Sequence, residues 1–160
     1  MADVEIKGAA ELQRLLGELP ANIERNVLRG ALRAGAKEIE REAKALTPVK
    51  SGALRASIRV SAGAKGGNVF AHIKAGGRGK GEAFYATMVE KGTKPHEERP
   101  RGAKSLFFAG LFSRLIEHPG AREKPFMAPA FANKSQAAVD RIAEYIRARL
   151  DKIAKARPGP

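Results

Sequence analysis

Through NIERNVLRGALRAGAKEIEREAKAL, the residues Leu28, Leu32, Gly35, Ile39, Ala43 and Leu46 recur at steps of four and three, with Arg and Glu at many of the other positions. That spacing predicts an amphipathic helix of about 25 residues with one apolar stripe. Pro48 ends it, because the residue before a proline is pushed out of the α region. A second stretch of the same kind closes the chain. From Pro129 onward, Phe131, Ser135, Val139, Ile142, Ile146, Leu150 and Ile153 keep steps of three and four. A proline suits the opening turn of such a helix, and residues 156–160 are expected to fray.

Between the two helices the period changes. Leu54, Ala56, Ile58 and Val60 alternate with Arg55, Ser57, Arg59 and Ser61, which predicts a half-exposed strand from Leu54 onward. AGAKGGN supplies a turn and VFAHIKA a second strand, so the pair reads as a hairpin with a flexible tip at residues 63–67. The glycine-rich KAGGRGKGEA predicts a flexible loop at 75–82. EAFYATMVEKG suits a strand or a short helix, and Gly92 standing where a helix often ends favours a helix over residues 84–91. KSLFFAGLFSRLIEH holds two short apolar runs around Ala109 and Gly110, a second hairpin. Near the N-terminus, AAELQRLLGELP predicts a short helix stopped by Gly17 and Pro20.

This order lacks the strand, helix, strand alternation of a parallel nucleotide-binding sheet. The expected class is α+β, a small antiparallel sheet of two hairpins packed by long N-terminal and C-terminal helices. At 160 residues the chain has the length of one domain, so 1–160 is read as a single unit. Aromatics make up only 6% of it, which leaves the core to aliphatic side chains.

The sequence argues against several kinds of chemistry. Gly79-Lys80 lacks the glycine of a P-loop five positions ahead, where Lys74 stands, and Gly81 replaces the hydroxyl residue that would hold magnesium. The three histidines, His72, His96 and His118, have no metal-ligand spacing, and the chain has no cysteine, so neither metal nor cofactor is expected. No serine sits in a Gly-x-Ser-x-Gly elbow, and no carboxylate pair stands out for acid and base roles. An enzyme is not expected. MADVEIKG lacks the features of a signal peptide, and no apolar run reaches the ~20 residues of a membrane span.

Charge points to partners instead. Thirty Lys and Arg stand against seventeen Asp and Glu, a net charge of +13, which favours polyanions or acidic protein surfaces. The mixed signs on the long helices read as salt-bridged solvent faces. The glycine-rich loop offers Arg78 and Lys80 as contacts for an anion.

Three stretches, TPVKSGALRASI at 47–58, FYATMVEKGTKPH at 84–96 and HPGAREKPFMAPAF at 118–131, resemble in order and spacing the neck family of long-tailed bacteriophages, head-tail joining and tail-component proteins. Lys50 departs from the pattern, standing where an acidic residue is expected before Ser-Gly. Physically, these motifs are architectural: Pro48 stops a helix, Gly52 allows a turn, and Leu54 and Ile58 begin an inward face. Glu90 and Gly92 close the next element. Pro119 and Gly120 leave the second hairpin, and Pro125, Phe126 and Pro129 turn the chain into the last helix. Lys94, His96, Arg99 and Arg101 join Arg78 and Lys80 as candidate interface or DNA-channel contacts.

The resemblance implies a virion protein assembled in the bacterial cytoplasm, a homo-oligomeric ring, hexameric by expectation. It would sit between a portal-side connector or head-completion protein and a tail terminator or tail tube, with non-specific contact to genomic DNA and no membrane. The competing reading of the composition is a small basic nucleic-acid-binding protein.

Overall fold

The computed structural model describes residue 17, residues 21–77, 83–99, 106–108 and 111–156. Most of the expected N-terminal helix, residues 78–82 of the glycine-rich loop and the 157–160 tail lie outside the described residues.

Helix α1 spans Ala21–Leu46, as its periodicity predicts. Its buried row runs at strict steps of four: Val27, Ala31, Gly35, Ile39, Ala43 and then Thr47 just past the end. Leu46, placed on the apolar stripe by spacing, is instead 40% exposed, because Thr47 takes the inward position. Thr47 closes the helix there. Both its N–H (3.0 Å) and its Oγ1 (2.5 Å) donate to the Ala43 carbonyl, satisfying an acceptor that the helix end would leave bare.

The C-terminal helix, α4, spans Met127–Ala156 and starts two residues earlier than the proline suggests. It packs antiparallel on α1. Val27 and Ala31 cluster with Ile146, Gly35 meets Ala138 and Ile142, and Glu42 accepts from Asn133 at 3.2 Å. Small residues allow the close approach: a Cβ on Gly35 would lie 2.6 Å from the Ala138 carbonyl oxygen. Phe131, expected on the apolar stripe of α4, is 60% exposed, and Ala130 and Ala138 are buried instead.

After α1 the chain turns at Gly52 (φ 79°) into a short helix, α2, Ala53–Ser57. The expected strand therefore does not begin at Leu54. Leu54 and Ile58 are both buried, as alternation required. Positions four apart also share a helical face, however, and the Ser57 hydroxyl donates to the Leu54 carbonyl at 2.7 Å, closing the helical turn.

Strand β1, Arg59–Lys65, pairs with β2, Asn68–Lys74, in register from Arg59↔Lys74 to Lys65↔Asn68. The turn is Gly66-Gly67, with φ 58° and 84°, the mirror-image geometry that matches strand twist. Residues 63–65, expected in a flexible tip, belong to the strand. Gly63 faces Phe70, whose ring covers the space that a Cβ would need.

Next come α3, Ala86–Lys91; β3, His96–Glu98; β4, Leu106–Phe108; β5, Leu111–Ser113; and β6, Ile116–His118. β4 and β5 form the expected second hairpin, and β6 pairs back with β3. The class is α+β as expected. Among the described residues, however, the strands make three separate two-stranded ladders rather than one sheet. The main core gathers Ile39, Ala43, Leu54, Ile58, Ala83, Ala86, Phe126, Ala130 and Ala138. Phe126 is its largest fully buried side chain.

Candidate functional site

The start of α4 exposes a problem that local sequence does not solve. The first N–H groups of a helix have no intrahelical acceptor, and Phe126, preceding the helix, has no side chain able to cap it. Glu90 of α3 supplies the acceptor. Its Oε2 accepts from the N–H of Phe126 (2.8 Å) and Met127 (3.0 Å), and its Oε1 from Ala128 (3.0 Å). Pro129 has no N–H, and Ala130 N–H reaches the Phe126 carbonyl at 3.3 Å, so every donor of the first turn is accounted for. Burial alone would raise the Glu90 pKa. The three backbone donors, Met127 foremost, and Lys91 outweigh it and hold the carboxyl below its usual range. A carboxylate at the positive end of the helix dipole is favoured further.

The same two segments are laced together before that cap. Thr93 and Ala121 exchange N–H···O bonds of 2.9 and 3.0 Å, and Lys124 N–H donates to the Val89 carbonyl at 2.8 Å. Gly92 (φ 68°) and Gly120 (φ 84°) flank that bridge. A Cβ on Gly92 would lie 2.6 Å from the Ala121 oxygen, and one on Gly120 would overlap the Thr93 carbonyl. Both glycines are therefore required twice, by backbone conformation and by space.

Sequence-selected residues thus meet in one place. Glu90, Gly92, Gly120, Pro125, Phe126 and Pro129 belong to this junction. Beside it, Pro48, Gly52 and Leu54 join Tyr85, Val89 and Lys124 around a groove of about 330 Å³, so all three stretches quoted above contribute to one surface. Ile58 lies beneath, in the core, and Pro119 is exposed. What the sequence did not disclose is that Glu90 caps a helix beginning 37 positions later. The usable signal was a helix start with no Ser, Thr, Asp or Asn before it.

Of the candidate contacts, Lys94, His96 and Arg99 are exposed, whereas Arg78, Lys80 and Arg101 lie outside the described residues. His96 of β3 stacks on His118 of β6, ring centroids 5.0 Å apart. His96 Nδ1 faces the Lys94 carbonyl at 2.9 Å and Nε2 faces Glu98 Oε1 at 3.2 Å. Acceptors at both nitrogens favour the imidazolium, so its pKa is raised, chiefly by the Lys94 carbonyl and then by Glu98. His118 differs: its Nδ1 accepts from Gly120 N–H at 3.0 Å, which places its neutral-form proton on Nε2.

Among the described residues no group of three His, Asp or Glu is placed to hold a metal ion, and no helix is long and apolar enough to cross a membrane. The selected residues cap, bridge and pack within the fold. Residues 10–92 match the bacteriophage family described as "Bacteriophage HK97-gp10, putative tail-component". The match covers more than half of the 160 residues, and the chain belongs to that family of phage structural proteins. No curated protein and no solved structure matches it.

Proposed function

We propose that this protein is a one-domain virion subunit that forms a ring in the neck of a tailed phage, joining the head connector to the tail terminator or tube without catalysis. Membership of a phage tail-component family carries the reading. A cyclic ring needs two different patches that meet between neighbouring copies. Val49, Phe84 and Met88, 63%, 69% and 50% exposed, offer apolar surface on the segments that form the groove, and Phe112 of the β4–β5 hairpin is 76% exposed. Exposed apolar surface of this kind suits a protein interface, and a hexamer is the expected count.

Quantitative peptide mass spectrometry on purified particles tests the reading. A copy number equal to one small ring, alongside a single oligomer in native mass spectrometry of the pure protein, supports it. Absence from finished particles overturns it and leaves the second reading, a small basic nucleic-acid-binding protein, which the net charge of +13 favours.

A further inference from the structure

Arg25, Arg29, Arg33, Lys37 and Arg41 occupy every fourth position along α1, and all five are exposed. Steps of four follow one inclined ridge of a helix. At 1.5 Å per residue the row extends about 24 Å. It stands two positions from the buried row of Val27, Ala31, Gly35, Ile39 and Ala43 and therefore faces away from it, since two residues turn a helix by about 200°.

The last three of these cations line a groove of about 310 Å³ between α1 and α4, together with Arg141 and Tyr145. Glu38 is the one carboxylate in that lining, and it pairs with Arg41. Arg141 pairs with Glu144 at 2.5 Å. Arg33 and Lys37 make no ion pair with any described residue. A salt-bridged solvent face accounts for Arg41 with Glu38, Lys44 with Glu40 and Lys134 with Glu42, but it does not account for Arg33 and Lys37.

We propose that the row and its groove bind the phosphate backbone of duplex DNA without regard to base sequence. A cation every ~6 Å of axial rise along one inclined ridge matches a polyanion of regular charge spacing better than an irregular acidic protein surface. The row's length spans about seven base-pair steps of 3.4 Å. Guanidinium, four of the five cations here, presents a planar fork that phosphate accepts bidentately, and the Tyr145 phenol can donate beside it. The inference stands on this surface and does not rest on the ring.

The test is fluorescence anisotropy of the full chain with a labelled duplex of about 20 base pairs across a salt series, since each phosphate contact contributes about 0.9 to the log–log slope. Replacing Arg33, Lys37 and Arg41 with Gln is expected to flatten the slope by roughly 2 to 3. Replacing exposed Lys65, Arg114 and Arg122 with Gln, an equal loss of charge elsewhere, is expected to leave it nearly unchanged. Far-UV spectra confirm folding, and if the triple variant unfolds, Arg33→Gln with Lys37→Gln is expected to flatten the slope by about 2. Equal flattening in the control, a wild-type slope in the groove variants, or no binding by the wild type overturns the proposal. So does displacement of the duplex by polyglutamate as readily as by unlabelled DNA.

Discussion

Glu90 and Phe126 are 36 positions apart in the chain, yet the carboxylate of one accepts the backbone N–H of the other at 2.8 Å. This contact starts α4 and fixes α3 against it. Phe126 is fully buried in the main core, so the cap also sets the depth at which its ring enters.

Glu90→Gln keeps the shape but turns an amide N–H₂ toward a backbone donor and removes the charge. Unfolding in urea is expected to show a loss of about 2 kcal/mol, from a helix cap of ~1 kcal/mol and the extra strength of hydrogen bonds to a charged group. An unchanged midpoint would refute the capping role. The effect depends on pH in a defined direction. Because the folded-state pKa lies below the ordinary glutamate value, the stabilisation is fully present above that ordinary value and fades as pH falls through the lower folded one. Melting curves of wild type and Glu90→Gln should therefore converge in acid and separate as pH rises.

The left-handed glycines separate into two kinds. Gly120→Ala adds a Cβ that overlaps the Thr93 carbonyl in a positive-φ conformation, and Gly92→Ala meets the Ala121 oxygen in the same way. Each is expected to cost roughly 2 to 3 kcal/mol or more. Gly66→Asn also stands at positive φ, 58°, but with nothing within 4 Å of the added Cβ. Since Asn tolerates that conformation, its cost should stay below about 0.5 kcal/mol. Equal losses at all three sites would mean that backbone conformation alone, not the Thr93–Ala121 bridge, makes these glycines necessary.

His96 offers a spectroscopic check on the β3–β6 ladder. Its imidazole is expected to titrate above 6.5 in an NMR pH series, because the Lys94 carbonyl and Glu98 both face its ring nitrogens. Glu98→Gln should bring the midpoint down without removing the shift completely, since the Lys94 contact remains. A midpoint indifferent to Glu98 would place that carboxylate elsewhere in solution.

The helices were legible because their signal is repetitive: a stripe sampled over seven turns survives an error such as Leu46. The hairpin turn at Gly66-Gly67 was legible as well, although the turn is two residues long rather than the five expected. Leu54 and Ile58 show where reading fails. A pair four apart satisfies a strand face and a helix face alike, and only the contact of Ser57 with Leu54 and the left-handed Gly52 decide between them. Glu90 stands in an architectural motif, but its partners are backbone N–H groups, which are the same in every sequence and leave no pattern to find. The pairing of β3 with β6 escaped for a related reason, since three-residue strands are too short to show a period. The cation row on α1 was present at every fourth residue, but mixed with glutamates that mask it until the buried side of the helix is known.

The packing of α1 on α4 gives the sharpest contrast between neighbouring positions. Gly30 and Gly35 both face α4, and both would place a new Cβ inside contact distance. At Gly35 the obstacle is the Ala138 carbonyl oxygen, at 2.6 Å, together with the Ile142 side chain; backbone cannot step aside, so Gly35→Ala must push the helices apart. A loss of about 1 to 3 kcal/mol is expected. At Gly30 the obstacle is the far end of the Tyr145 ring, which can swing, and alanine improves helix propensity by about 1 kcal/mol. Gly30→Ala is therefore expected to be near neutral. Thermal melts of the two variants decide the matter. Similar losses would mean that Tyr145 is held as rigidly as the backbone, and the α1–α4 groove would then be a fixed surface along its whole length.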